Sequence, residues 1–224
     1  LSWMEGASPE TYSAVLSADG ESAGRFSGHG GAMAQAYNHM IMPLASARDK
    51  RTQVAWGKRD FRHRFGRDPE GMWLPETAVD LETLEVMAKA GILFTILAPH
   101  QASRVREGGA WRDVTAEGLD TTVPYRCELP SGRNIALFFY NGALAHDIAF
   151  GNLLENGGTF AGRMIDGAQG EGARLSHAAV DGETFGHHRR FGEMALAYCL
   201  ETVEGGGEAE LTVYGEFLEK HPPT

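Results

Sequence analysis

One stretch of sequence decides the fold of this chain: residues 72–97, MWLPETAVDLETLEVMAKAGILFTIL. It begins with an apolar run of three residues that ends at a proline. Asp80 can then cap a helix that Gly91 stops, and residues 92–97 form an apolar run typical of strands buried on both faces. A strand, a helix and a strand in this order predict a βαβ unit, whose two strands are parallel.

The same alternation of helical spacing and short apolar runs continues on both sides of this stretch. The sequence predicts helices over 45–65, 144–154, 160–168 and around 191–203, further strands over 135–140, 175–180 and 211–214, and a turn-rich excursion over 108–132. In all, five strands separated by helices predict an α/β fold with a parallel sheet. Either a doubly wound open sheet or part of a barrel satisfies the pattern.

Composition limits the class of protein. The 224 residues include 20 Lys and Arg against 30 Asp and Glu, a net charge of -10, and 42% are hydrophobic. This predicts a single folded domain over residues 1–224. The acidity argues against binding to nucleic acid or an anionic membrane, and no apolar run approaches the roughly 18 residues of a membrane span. Two cysteines, Cys127 and Cys199, are too few for a disulfide framework and predict the cytoplasm.

Polar residues follow the ends of the predicted strands. Each apolar run is followed closely by one of five residues, Glu76, His100, Asn141, Asp181 and Glu216. Parallel strands of an α/β fold end at the same edge, and that edge builds the active site. The sequence therefore predicts a site at this edge.

Two acids at such an edge suit cleavage of a glycosidic bond. That reaction needs one carboxylate to attack or to activate water, and one carboxylic acid to protonate the leaving oxygen. Glu76 and Asp181 can fill these roles, while Trp73 and Phe185 can offer flat rings to the apolar faces of a sugar. The alternatives are that an acid after a strand is only solvated or begins a helix, and that Trp73 belongs to the core.

Three further polar residues allow two interpretations each. His29 lies in a glycine-rich loop and either contacts substrate or only completes a turn. His39 is either a buried, hydrogen-bonded histidine or part of the rim of the site. Asp147 either faces the cleft or is solvated at the start of a helix.

Glu183, His187 and His188 lie close to Asp181 in sequence and raise the question of a metal site. Carboxylates and imidazoles are common ligands, but adjacent histidines on a helix point about 100° apart and seldom share one ion. Rather than a metal site, the spacing favours hydrogen bonds between substrate and the side chains of Glu183 and His187, or an imidazole that orients Asp181. No metal or cofactor is predicted.

Two motifs resemble signatures of glycoside hydrolase family 57, a family of enzymes active on α-glucans. Trp73-Leu74-Pro75-Glu76 has the form of the signature that carries the nucleophilic Glu. Residues 181–186, DGETFG, look like the signature that carries the acid/base Asp, and residues 28–44, GHGGAMAQAYNHMIMPL, resemble a further signature. The similarity is to a bacterial branch of the family and extends over nearly all 224 residues.

This resemblance implies a fold and a mechanism. The fold would be an incomplete (β/α)7 barrel, and the chain would lack its first strand and C-terminal region, because the family's first and fifth signatures have no clear match. Glu76 would attack the anomeric carbon while Asp181 protonates the glycosidic oxygen, in a retaining mechanism with the carboxyls about 5–5.5 Å apart. The substrate would be an oligo- or polysaccharide of α-linked glucose, hydrolysed or transferred. The sequence does not set the oligomeric state.

Two other function classes fit the same residues. A metal-dependent hydrolase, such as a polysaccharide deacetylase, would use Asp181, His187 and His188 as ligands. A catalytically silent carbohydrate-binding domain would keep only the fold. Such a module has no need of both Glu76 and Asp181.

Overall fold

The computed structural model of the chain describes residues 1–115 and 118–223. Within them the helices are α1 (Ser2–Ala7), α2 (Pro9–Arg25), α3 (Ala47–Phe65), α4 (Leu81–Lys89), α5 (Gly142–Ala149), α6 (Gly157–Asp166), α7 (Gly192–Gly206) and α8 (Tyr214–Lys220). The strands are β1 (Ala34–Gln35), β2 (Met72–Trp73), β3 (Phe94–Leu97), β4 (Arg104–Glu107), β5 (Ala110–Asp113), β6 (Tyr125–Glu128) and β7 (Asn134–Phe139). Their sheet orders are β1-β2, β3-β7-β6 and β4-β5, so the α/β class is confirmed. None of the helices in this described part is both long and apolar enough to cross a bilayer.

The chain divides into two compact units. The first contains Leu1–Ile96, Tyr125–Leu137 and Thr212–Thr224, and the second contains Leu97–Pro124 and Phe138–Leu211. Each unit has an apolar core of its own. Organisation of residues 1–224 as one catalytic domain stays a prediction.

In the first unit, α3 packs closely against the sheet of β1 and β2. The two strands are parallel, with Ala34 opposite Met72 and Gln35 opposite Trp73. A parallel bridge between Gly71 and Phe94 agrees with the βαβ unit predicted over residues 72–97. A Cβ atom at Gly57 of α3 would overlap the backbone oxygen of Gln35. Glycine at this position therefore sets how near the helix approaches the sheet.

The helices of this unit begin and end where local chemistry predicts. Ser46 caps α3 by accepting the Asp49 N–H at 3.2 Å, and Gly66 ends it in the left-handed region at φ 69°. Asp80 caps α4, with its carboxylate accepting the Thr83 N–H at 2.8 Å. The predicted helices over 45–65 and after Asp80 are confirmed.

The core of the second unit forms mainly between helices. Asn141 caps α5 and Asn156 caps α6, each by accepting a backbone N–H three residues on. The apolar faces of α5, α6 and α7 share one buried cluster, which includes Leu144, Phe160 and Cys199. Helices predicted over 144–154, 160–168 and around 191–203 are thus present, with boundaries moved by a few residues.

Two predicted strands are absent. Residues 175–180 are not assigned to a strand, because their backbone hydrogen bonds go to separate segments: the Leu175 N–H donates to Thr122 O, and the Asn141 N–H donates to His177 O. Residues 211–214 lead directly into α8, so Glu216 lies on a helix and does not follow a strand.

The pairing within the predicted excursion also differs from the sequence-based expectation. β4 pairs with β5, and β6 pairs with β7, both antiparallel. The all-parallel sheet predicted from the alternation of runs is therefore wrong for this part of the chain. Helices α1 and α2, before residue 26, were not part of the predicted pattern.

Candidate active site

Glu76 lies on a tight turn directly after β2. Glu76 has φ 55° and ψ 20°, and Thr77 has φ 53°, so two consecutive non-glycine residues adopt the left-handed region. Such a conformation costs about 1–3 kcal/mol per residue and persists only where the surroundings fix it. The turn is closed by the Thr77 N–H on Leu74 O and the Ala78 N–H on Pro75 O, at 2.9 and 3.0 Å. Leu74 and Pro75 are buried, whereas the Glu76 carboxylate is 73% exposed.

The structure brings His39 and Glu76 together. The His39 Nε2 atom lies 3.5 Å from Glu76 Oε1. The imidazole is 58% exposed, which contradicts the alternative of a buried core histidine. Like Glu76, His39 has a left-handed backbone, with φ 53°. The predicted nucleophile therefore has an imidazole within ion-pair distance, presented from a second strained turn.

A buried amide on α3 holds the turn that carries His39. The Gln53 side chain accepts the Asn38 N–H at 2.6 Å through Oε1, and its Nε2 donates to Asn38 Oδ1 at 2.9 Å. Gln53 is 5% exposed. The oxygen and the nitrogen of its side-chain amide thus both bind Asn38, the residue that directly precedes His39.

Ion pairs of the buried Lys50 hold the chain that follows Glu76. Lys50 of α3 is 2% exposed and donates to Asp80 at 2.6 Å and to Glu82 at 2.7 Å. Burial lowers the pKa of Lys50, but the hydrogen bonds to the two carboxylates outweigh it and raise the pKa above 10.5. Burial likewise raises the pKa of Asp80, and its bonds to Lys50 and Thr83 bring it below 3.8. The pair therefore stays charged at neutral pH.

His29 binds carboxylates other than Glu76. Its Nδ1 lies 2.7 Å from Glu70 Oε1, and its Nε2 lies 2.8 Å from Glu219 Oε2. Burial lowers the pKa of His29, but the bonds to Glu219 and Glu70 outweigh it, so the pKa rises above 6.5. A Cβ atom at Gly215 would meet Glu70 Oε2 and lie 2.7 Å from His29 Nδ1, so a larger residue there would displace the ends of these two side chains. Both ring nitrogens of His29 are engaged within the first unit.

Asp181 lies in the second unit at an exposed position. Its backbone O accepts the Thr184 N–H at 3.0 Å, which starts the short 3-10 turn Gly182–Thr184, and its side chain makes no capping hydrogen bond. Glu183 is also exposed. The Asp181 carboxylate is therefore presented to solvent at the start of a turn.

The two predicted aromatic contacts are both partly buried. Trp73 pairs with Gln35 across the sheet of the first unit and keeps part of its surface exposed. Phe185 packs against the core of the second unit. Each residue keeps part of its surface exposed, and Phe185 has its other side against the core of the second unit.

His187 and His188 lie in the turn that follows Asp181 and Glu183. Their rings are 4.9 Å apart at an interplanar angle of 62°, and the His188 N–H donates to Glu183 O at 2.8 Å. Among residues 1–115 and 118–223, no group of three or more His, Cys, Asp or Glu side chains is arranged to hold a metal ion. The ligand set that the deacetylase alternative requires is not assembled by these residues.

Asp147 is bound to a neighbouring helix. Its Oδ2 accepts from Arg163 Nη2 at 3.0 Å, which links α5 to α6. Its side chain is 41% exposed and that of Arg163 is 45% exposed, so the pair contributes little to stability. The interpretation of Asp147 as a residue that faces the cleft stays a prediction.

Two polar residues of these units were missed by the sequence analysis. Gln53 shares the buried face of α3 with Lys50, Val54 and Phe61, so a polar residue in a buried helical register was the signal. His177 is 7% exposed, and its Nε2 bonds Thr121 O at 2.9 Å. No local pattern reveals that partner, which lies 56 residues away.

Comparison with known proteins gives a family and a fold. The sequence model of glycosyl hydrolase family 57 matches residues 26–224. Among curated proteins, no sequence matches the chain.

Solved structures resemble the whole chain at low identity. The 4-alpha-glucanotransferase of Thermococcus litoralis has a TM-score of 0.76 at 17% identity, with 100% of this chain and 32% of that chain covered. The branching enzyme of Thermococcus kodakaraensis, in complex with glucose, has a TM-score of 0.74 at 16% identity, with 100% and 52% covered. The alpha-amylase AmyC of Thermotoga maritima has a TM-score of 0.71 at 13% identity, with 94% and 52% covered. The chain spans about a third to a half of the length of these structures and shares their fold over that part.

Proposed function

The chain belongs to glycosyl hydrolase family 57, and on this premise we propose that it cleaves or transfers α-linked glucans by a retaining mechanism. The observation that supports this most directly is the Glu76 turn. The backbone of Glu76 is strained, and its exposed carboxylate has an imidazole 3.5 Å away. Such backbone strain, held in place by its surroundings, is concentrated at functional sites.

In the proposed reaction, Glu76 is the nucleophile and Asp181 the acid/base. A Glu76 carboxylate oxygen attacks the anomeric carbon, the glycosidic C–O bond breaks, and Asp181 gives its proton to the leaving oxygen. Asp181 then takes a proton from water or from an acceptor sugar hydroxyl. That oxygen attacks the anomeric carbon and releases Glu76. Two inversions retain the configuration, and the mechanism requires the two carboxyls about 5–5.5 Å apart.

His39 has a specific part in this scheme. Its Nε2 lies 3.5 Å from Glu76 Oε1, so the imidazole can orient the carboxylate that attacks. Its exposed N–H can also donate to a sugar hydroxyl. We also assign substrate contacts to six further residues on the chemistry of their side chains: His29, Trp73, Asp147, Glu183, Phe185 and His187.

The proposal extends to the architecture. The three solved structures described above share their fold with this chain over the matched part, and we propose that the chain forms part of an incomplete (β/α)7 barrel acting as one catalytic domain in the cytoplasm of a bacterium. The substrate is an oligo- or polysaccharide, with no nucleic acid or membrane partner.

The test separates the two acids by their chemistry, in the full-length protein and on a panel of α-glucans. Glu76→Gln should lower kcat by about 10³-fold or more, and azide should restore turnover of Glu76→Ala as a glycosyl azide of inverted configuration. Asp181→Asn should lose about 10²–10⁴-fold on glucans but far less on an aryl glucoside, whose leaving group needs no proton.

Matched controls are Glu201→Gln in α7 and Asp166→Asn in α6, which make the same chemical changes at exposed acids that have no role in the proposed reaction. Activity that a chelator abolishes and that survives Glu76→Gln would overturn the carboxylate mechanism in favour of a metal-dependent hydrolase. Glucan binding without turnover on any substrate would favour a silent binding domain.

A further inference from the structure

We propose that Gln53 is a positioning residue for the Glu76 carboxylate, acting through Asn38 and His39. The inference rests on the proposed role of Glu76 as nucleophile. It adds Gln53 and Asn38, two residues to which the carboxylate mechanism gives no role, and connects them to His39, which has one.

Gln53 is a buried polar residue, and both the oxygen and the nitrogen of its side-chain amide form hydrogen bonds with Asn38. It is 5% exposed on a face of α3 shared with Val54 and Phe61, where an apolar side chain of similar size would pack without needing a hydrogen bond. A buried amide costs free energy unless it is hydrogen bonded. Here the bonds go to the backbone N–H and the side-chain Oδ1 of Asn38, at 2.6 and 2.9 Å.

These bonds fix the backbone on which His39 lies. The Tyr37 N–H donates to the backbone oxygen of Gln53 at 3.4 Å, and the His39 N–H donates to Ala36 O at 3.0 Å. His39 itself has φ 53°, a conformation that a histidine keeps only when its surroundings hold it. The α3 helix therefore holds the turn from both its main chain and its side chain.

Packing cannot place the His39–Glu76 pair, because both side chains are mostly exposed, at 58% and 73%. Control over their 3.5 Å separation must come from the two backbones that present them. On the Glu76 side, the closed turn after β2 supplies it. On the His39 side, the Gln53–Asn38 bonds supply it.

A double-mutant cycle tests this role. Gln53→Leu should lower kcat/KM on an α-glucan by about tenfold in the wild type and less than about twofold in a His39→Ala background, because coupling through His39 disappears with the ring. Asn38→Ala changes an exposed position and removes the acceptor for Gln53 Nε2, and it should show the same dependence on His39. Asn38→Asp keeps both an acceptor for Gln53 and the backbone N–H, and should stay within about threefold of the wild type.

Equal losses in both backgrounds would assign Gln53 to fold stability alone and overturn the proposal, as would no loss in either. A second measurement does not depend on turnover: the ring ¹⁵N resonances of His39. Glu76→Gln should shift them in the wild type and leave them nearly unchanged in Asn38→Ala. An undiminished shift in Asn38→Ala would refute the positioning role even if no glucan is turned over, whereas loss of turnover with the expected shifts would count against the proposed function alone.

Discussion

The turn that carries Glu76 and the segment that carries Asp181 are held in different ways. Around Glu76, two left-handed residues follow buried neighbours, and the buried Lys50 holds Asp80 a few residues on. Before Asp181, residues 173–181 have no regular secondary structure. This difference suits the proposed roles, since a nucleophile must meet one atom, the anomeric carbon, while an acid/base must serve the leaving oxygen and then the attacking one.

Glycine substitutions should show the largest contrast between the two regions. Gly57→Ala places a Cβ atom on the backbone oxygen of Gln35, which cannot move without shifting β1, so the free energy of unfolding should fall by about 3 kcal/mol. Gly182→Ala, directly after Asp181, meets nothing within 4 Å and should change it by less than about 0.5 kcal/mol. Urea denaturation followed by tryptophan fluorescence measures both.

Gly20→Ala in α2 is the matched control for an alanine within a helix. Nothing lies within 4 Å of its added Cβ, so it should stabilise the protein by about 0.5–1 kcal/mol. If Gly57→Ala and Gly20→Ala change the free energy of unfolding alike, the close contact of α3 with β1 does not stabilise the first unit. That result would contradict the proposed anchoring of the Glu76 turn.

Hydrogen exchange of two single amides should show a smaller contrast. The Thr77 N–H and the Leu175 N–H make backbone hydrogen bonds of nearly equal length, 2.9 and 2.8 Å, so bond length does not favour either. The Thr77 turn contains the buried Leu74 and Pro75, whereas Leu175 lies in a segment without regular secondary structure. Local opening at Leu175 should therefore cost less, and its amide should exchange about tenfold faster, a difference of about 1.4 kcal/mol. Equal protection factors measured by NMR would contradict the difference in rigidity between the two segments.

Sequence predicts the region around residues 72–97 well because its signals are local. Asp80 as a helix cap and Gly66 as a helix end act through bonds within a few residues, and a short motif places Glu76. The two-residue strand β1 carries no such signal. Its pairing with β2 is set by the approach of α3, which depends on Gly57.

Prediction fails where partners are distant in sequence. The apolar run over 175–180 suggests a strand, but hydrogen bonds to two separate segments replace a ladder. The partners of His29 lie 41 and 190 residues away, so its place between two carboxylates has no local signature. The motifs predict that His39 and Glu76 lie in the same site. The contact between them and the hydrogen bonds from Gln53 depend on the tertiary fold and have no signal in the local sequence.

The smallest expected contrast concerns pH, because each unit holds a histidine whose pKa is shifted in the opposite direction. In the first unit, burial lowers the pKa of His29 but bonds to Glu219 and Glu70 raise it overall. In the second unit, burial lowers the pKa of His177 and outweighs its bonds to the carbonyls of Thr121 and Phe139. His29 is therefore favoured as the imidazolium and His177 as the neutral ring.

The signs of the two stability effects follow from proton linkage. The contribution of His29 is fully present below pH 6.5, its unfolded pKa, and is lost as the pH rises through the raised folded value. That of His177 is present above pH 6.5 and is lost as the pH falls toward the lowered folded value. Measured by urea denaturation, His29→Gln should therefore cost more stability at about pH 5.5 than at about pH 8.5, and His177→Gln should show the reverse. Each substitution serves as the control for the other. If the loss of stability changed with pH in the same direction in both variants, the opposite environments of the two histidines would be contradicted.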